Sequence, residues 1–247
     1  MIGWPAGWRR IHHERLDSTN AEAARLASAG AALPFWLTAD IQTAARGRRG
    51  RAWSAPQGNF SGSAALWVGP EAGQAALRSF TAALALAEAL QDLGVPASEL
   101  SLKWPNDVLW RGRKLAGILL ESTRVRDRLL LVVGIGVNLA EAPPAEVLEP
   151  TAHAPAALAP AHRISPAELM PALADHFARW DRVLDTHGFA PAREAWLARA
   201  ARIGQQVTAR LSGATVSGRM ITVDDSRAIV LDTATGRRHL PAADIFF

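Results

Sequence analysis

The chain has 247 residues, of which 49% are hydrophobic and 20% charged, a length and balance that bury a sizeable core and exclude wholesale disorder. It holds no cysteine, which excludes a disulfide framework, a Cys-ligated zinc or iron–sulfur centre and a Cys nucleophile, and makes the cytoplasm the simplest compartment. The pI of 10.7 invites a nucleic-acid reading, but the formal net charge is only +4, and with no Tyr little titrates between about pH 8 and 12. Of the 27 basic residues only Lys103 and Lys114 are lysines, so arginine is background here and the two lysines stand out.

The first ten residues contain Pro5, Gly3, Gly7 and two arginines, and do not resemble a signal peptide. Asp17-Ser-Thr-Asn20 before an Ala-rich stretch predicts a helix from about 19 to 29, with Thr19 and Glu22 spaced as a capping box. Strands are expected over Phe35–Ile41 and Ser63–Val68, with the polar Gly/Arg-rich stretch Thr43–Trp53 as a loop between them. Leu77–Leu93 has helical spacing and stops at Gly94. Strands follow over Leu100–Trp104, Val108–Trp110, Leu115–Glu121 and Leu129–Asn138. The longest apolar run, Leu129–Val137, has nine residues, less than half a membrane span, so the chain reads as soluble and unanchored.

Residues 140–163 carry five prolines and read as an irregular connection. Ser165-Pro166 with Glu168 opens a helix to about His187, and another is expected over 191–201. Beyond Gly204 short alternating segments (Gln206–Leu211, Thr215–Val223, Ala228–Leu231, Arg237–Leu240) predict a small all-β module. The layout is α+β followed by a small barrel, divided as residues 1–202 and 203–247.

Three segments could carry chemistry. Arg46-Gly-Arg-Arg-Gly-Arg51 with Trp53 can converge guanidinium forks and backbone amides on a phosphate or carboxylate, or can be a solvated mobile loop. Lys103-Trp-Pro-Asn-Asp107 and Lys114-Leu-Ala-Gly-Ile118 place both lysines near one turn, where a compact ammonium can meet a phosphate and Asp107 can receive or orient an amine. The competing reading is two surface lysines and a turn-capping Asp. Gly134-Ile-Gly-Val-Asn138 fails as a dinucleotide fingerprint, since Leu139 stands where a third Gly belongs; it marks either a close approach to the backbone or a glycine kink. The seven His are scattered, so no protein-ligated metal is expected.

Taken in order, Ser18-Thr-Asn20, the Arg/Gly loop, the segments at 103–107 and 114–118, Gly134–Asn138 and the small C-terminal module resemble the biotin protein ligases over most of the chain. The resemblance implies a mixed sheet with helices like the class II aminoacyl-tRNA synthetases, followed by an SH3-like β-barrel. It implies synthesis of biotinyl-5′-AMP from biotin and ATP with Mg²⁺, then transfer of biotin to one lysine of a biotin carboxyl carrier protein. Ser18, Thr19, Asn20, Gln42, Arg46, Lys114 and Gly117 would bind biotin. Arg48, Arg51, Trp53, Lys103, Asn106 and Asn138 would bind ATP or the adenylate, and Lys114, Arg48 and Asp107 would be catalytic, with Mg²⁺ held mainly by the phosphates. Seventeen residues precede Ser18, which places the chain in the ligase-only class, with no specific DNA and no membrane as partners. The family loop begins with Gly where Ala45 stands here; if that position needs φ > 0, Ala is strained by about 1 kcal/mol. A lipoate ligase or octanoyltransferase is the nearest alternative, and a basic RNA-binding module is the alternative from another class. Monomer and homodimer both remain open.

Overall fold

The computed structural model describes residues 3–69, 71–144, 154–211 and 213–247; part of the proline-rich connection expected at 140–163 lies outside the described residues. Seven strands form one sheet: β1 (Arg9–Leu16), β2 (Phe35–Gln42), β3 (Phe60–Val68), β4 (Leu100–Lys103), β5 (Asp107–Trp110), β6 (Arg113–Val125) and β7 (Arg128–Val137), in spatial order β1-β2-β3-β7-β6-β5-β4. Only β1 and β2 run parallel; the other neighbours are antiparallel.

Alternation along the strands decides which helix covers which face. Phe35, Leu37, Ala65, Leu130 and Val132 pack with Ala23 and Ala27 of α1 (Thr19–Ser28). Trp36, Ala64, Leu66, Leu131 and Val133 join a larger core with α2 (Ala72–Asp92), α3 (Pro166–His187) and Trp196 of α4 (Phe189–Leu197). Helix α2 is buried almost all round, and its alanines at 82, 83, 85, 87 and 89 let the sheet and α3 approach closely; each fully buried leucine among them contributes about 2 kcal/mol. No described helix is long and apolar enough to cross a membrane.

Helix α1 is capped one residue earlier than the spacing predicts. The Ser18 hydroxyl accepts from the Ala21 N–H at 3.4 Å, and Glu22 pairs with Arg25 instead of closing a box. In α3 the box does close: Ser165 N–H donates to Glu168 at 2.8 Å, and the Glu168 N–H donates back to Ser165 Oγ at 3.3 Å. Strand β1 was not legible in RRIHHERL because it is an exposed edge with little apolar alternation; the parallel ladder to β2 forms it. The opposite edge is covered, since Leu102 of β4 exchanges backbone hydrogen bonds with Arg199 and Ala201 beyond α4.

The C-terminal module comprises β8 (Gln206–Leu211), β9 (Ala214–Val223), β10 (Ile229–Thr233), β11 (Gly236–Leu240) and β12 (Asp244–Phe246), ordered β11-β10-β9-β8-β12. It is an SH3-like antiparallel sheet and not the closed barrel that was expected. Closure needs a ladder between the outer strands, and all three residues of β12 are spent on β8 while β11 pairs with β10 alone.

Candidate active site

The period of two along β7 also builds the site. Leu130 and Val132 lie beneath α1, and the next residues on that face, Gly134 and Gly136, lie just beyond the helix start. Gly136 pairs with Gly117 of β6 across the ladder. A Cβ on Gly136 would stand 2.5 Å from Trp53 Nε1 and one on Gly117 3.1 Å from Trp53 Cζ3, while one on Gly134 would collide with the Asn20 amide. The glycines therefore mark a close approach, by the indole of the Arg/Gly loop and the first turn of α1. Above this floor opens a cavity of about 650 Å³.

One wall is lined by neutral polar groups that hydrogen-bond to one another. Gln42 Oε1 accepts from the Thr19 N–H at 2.7 Å and from the Thr19 hydroxyl at 3.1 Å. Ser63 Oγ lies 2.8 Å from Thr19 Oγ1 and 2.6 Å from Asn20 Oδ1, and the Asn20 amide donates to Glu121 Oε2 at 2.7 Å. Thr19, Asn20 and Ser63 are 4%, 5% and 0% exposed, so an unpaired group in this wall would cost about 1–3 kcal/mol.

The other end is cationic. The Arg/Gly loop is a narrow hairpin: Trp53 N–H donates to Ala45 O at 3.0 Å, Gly47 N–H to Arg51 O at 2.7 Å, and Arg46 and Ala52 form a β-bridge. Its positive φ angles fall at Arg49 (58°) and Gly50 (73°), not at Ala45, so the strain considered for Ala45 does not arise. Arg48 Nη1 donates to Asn106 Oδ1 at 3.2 Å, and Asn106 Nδ2 donates to Ile118 O at 2.6 Å, which locks the guanidinium to the turn between β4 and β5. Burial pushes the Arg48 and Lys103 pKa values down, partly opposed by the carboxylates Asp107 and Asp244. Lys114 Nζ stands 2.9 Å from Asp107 Oδ1 and 5.7 Å from the Trp53 ring centroid. That ion pair is not aligned as a hydrogen bond, so Asp107 Oδ1 keeps acceptor capacity.

Asn138 is 1% exposed and donates to Ala156 O at 3.1 Å, while Lys114 exchanges backbone hydrogen bonds with Ala154 and Ala156. These two residues hold residues 154–156 in place, and Pro155 lines the cavity. The C-terminal sheet closes the cationic side. Asp244 accepts from Arg49 at 2.6 Å and Arg51 at 3.3 Å, with Arg210 at 3.8 Å. The turn between β9 and β10 is tied to the same region by Trp104 Nε1, which donates to Arg227 O at 3.0 Å.

Every residue given a binding or catalytic role from the resemblance lines this one cavity: Ser18, Thr19, Asn20, Gln42 and Arg46 toward the neutral wall, Arg48, Arg51, Lys103, Asn106, Asp107 and Lys114 toward the cationic end, and Trp53, Gly117 and Asn138 between; Ala45, Arg49 and Gly50 of the Arg/Gly loop are not in its lining. Sequence reasoning missed Ser63, Glu121 and Asp244. Ser61 and Ser63 in the otherwise apolar β3 were a signal, being polar at positions a central strand buries; Asp244 had none. Among the described residues no group of three His, Cys, Asp or Glu side chains converges.

A family model described as Biotin/lipoate A/B protein ligase family matches residues 13–138, and one described as Biotin protein ligase C terminal domain matches residues 203–247. The chain is 50% identical over 236 residues to a biotin–[acetyl-CoA-carboxylase] ligase of Paracoccus denitrificans, covering 94% of this chain and 98% of the relative. It is 31% identical over 250 residues to the bifunctional ligase/repressor BirA of Bacillus subtilis, covering 97% of this chain and 74% of that one. In fold it is similar to a biotin protein ligase from Aquifex aeolicus in complex with biotin and ATP, with a TM-score of 0.78 at 23% identity over 96% of this chain and 97% of the other. With the two models matched in order along the sequence, and half of the aligned residues shared with a relative covered almost end to end, this chain belongs to the biotin/lipoate A/B protein ligase family and carries the biotin protein ligase C-terminal domain.

Proposed function

We propose that the protein is an ATP-dependent biotin ligase that makes biotinyl-5′-AMP and transfers biotin to a lysine of the biotin carboxyl carrier protein of acetyl-CoA carboxylase. The observation that carries this reading is one cavity with a neutral, hydrogen-bonded wall at one end and clustered cations at the other. Biotin has the same asymmetry: a neutral ureido ring at one end, a carboxylate at the other. Ser18, Thr19, Asn20 and Gln42 would pair the ureido group, and Arg46 and the Gly117 backbone would follow the tail toward Lys114.

In the first step the biotin carboxylate oxygen attacks the α-phosphorus and the bond to pyrophosphate breaks. Two anions meet, so their repulsion must be cancelled; Arg48, Arg51, Lys103 and Lys114 would do this, and the partly buried setting strengthens their attraction for the anions. Trp53 offers a flat face for adenine, and Asn106 and Asn138 polar edges. With no protein cage of carboxylates among the described residues, the donor set fits Mg²⁺ carried by the phosphate oxygens, where it would neutralise further charge. In the second step the carrier's lysine nitrogen attacks the acyl carbon, AMP leaves, and Asp107 would receive the proton or orient the amine. Residues 1–202 would form the catalytic unit and 203–247 the unit that closes it.

Biotin-dependent exchange of pyrophosphate into ATP tests this. Lys114→Ala should lose at least about 100-fold of that exchange while keeping its thermal midpoint. Undiminished exchange by the variant, or exchange supported by lipoate as well as by biotin, would overturn the reading.

A further inference from the structure

Glu121 lies on β6 outside the cavity, half-exposed, and none of the roles above uses it. Its carboxylate makes two contacts. Oε2 accepts from Asn20 Nδ2 at 2.7 Å, and Oε1 stands 3.7 Å from Arg46 Nη2 at the start of the Arg/Gly loop.

The first contact has a consequence for the neutral wall. An amide side chain can sit in either of two orientations, with oxygen and nitrogen exchanged, and its neighbours decide which. A carboxylate is an acceptor only. Asn20 must therefore turn its NH₂ outward to Glu121, which sets Oδ1 inward, 2.6 Å from Ser63 Oγ and over Gly134. Leu119 O, 3.5 Å from the same Nδ2, favours the same orientation. Flipping the amide would place a donor where the wall now has an acceptor, and a ureido group, with one acceptor and two donors, distinguishes the two. We propose that Glu121 is a positioning residue: acting through Asn20, it sets the donor and acceptor pattern of the neutral wall and so the affinity for the ureido ring. This rests on the reading of that wall as the biotin end.

Steady-state exchange assays on Glu121→Ala, Glu121→Leu, Glu121→Gln, Asn20→Ala and the Asn20→Ala/Glu121→Ala double variant test it. Removing a hydrogen bond to a charged acceptor should raise the KM for biotin about tenfold in Glu121→Ala and Glu121→Leu, with kcat and the KM for ATP changed less than about twofold. Glu121→Gln keeps an oxygen for Asn20 Nδ2 but not the charge near Arg46; its own amide can turn to present that oxygen, and Leu119 O still favours the same Asn20 orientation, so it should restore the biotin KM to within about threefold of wild type. In the Asn20→Ala background the Ala substitution at 121 should add nothing further. An unchanged biotin KM in Glu121→Ala and Glu121→Leu, no rescue by Gln, or an increase that persists without Asn20 overturns the proposal. An unchanged biotin KM in Asn20→Ala overturns the reading of the wall, and the proposal with it.

Discussion

At Lys103, burial draws the ammonium pKa down from its ordinary value; Asp107 opposes this and Lys114 adds to it. A cation held in such a place costs stability at neutral pH, since the unfolded chain would hydrate it fully. The Lys103→Met variant should therefore be more stable than the wild type by about 1 kcal/mol at pH 7 while losing adenylate formation, measured by thermal melts beside pyrophosphate exchange. The sign with pH follows from the lowered value. The folded protein releases this proton before the unfolded chain does, so wild-type stability recovers as pH rises through the folded pKa toward about 10.5, and the variant's advantage should shrink across that window. An advantage that grows with pH would contradict the assignment. This residue stood out in the sequence because the chain uses arginine almost everywhere else, and it lines the cavity.

Strand β7 joins core to site through a single periodicity. Apolar side chains at 130 and 132 hold α1, and the same face continues as glycine at 134 and 136, where Asn20 and Trp53 need room. Gly136→Ala should fold, because alanine is tolerated in a strand and the three atoms it meets all lie along one edge of a single indole ring that can shift as a unit. It should nevertheless reduce exchange by about tenfold or more by displacing Trp53, with a raised KM for ATP; wild-type kinetics with normal melting would count against a role for the indole platform. The Gly-x-Gly signal was visible in the sequence, but its meaning was not, since a close approach and a kink leave the same residues. Only the position of Trp53 across β6 and β7 separates them. Helices and buried strands were legible for the same reason that β1 was not: apolar periodicity reports a buried face, and an exposed edge has little of one.

At the scale of the whole molecule, the C-terminal sheet completes the cationic end of the site. Arg49 adopts a left-handed backbone, φ 58°, at the tip of the loop, and Asp244, 195 positions away in the sequence, holds its guanidinium at 2.6 Å and that of Arg51 at 3.3 Å. Within the loop the N–H groups of Gly47, Arg51 and Trp53 bond to loop carbonyls, and the cross-module ion pair adds an anchor at the tip that should contribute to its protection. Asp244→Ala should raise amide hydrogen exchange over residues 46–53 by about tenfold, with the exchange of β6 and β7 unchanged; equal protection in the two proteins would show that the C-terminal sheet does not hold the loop.

The amino-acid sequence by itself determined the elements that bury a face, the segments that come to line the cavity and the family resemblance, because apolar spacing, turn residues and rare lysines are all local signals. Tertiary structure alone decided that Gly134 and Gly136 make room for Asn20 and Trp53, that Asn20 meets Glu121 and Ser63, and that Asp244 meets the Arg/Gly loop. It also decided that the C-terminal module is an open sheet, since closure depends on which strand β12 pairs with. Each of these is a contact between residues far apart along the chain, and no local pattern of residue types encodes such a pairing.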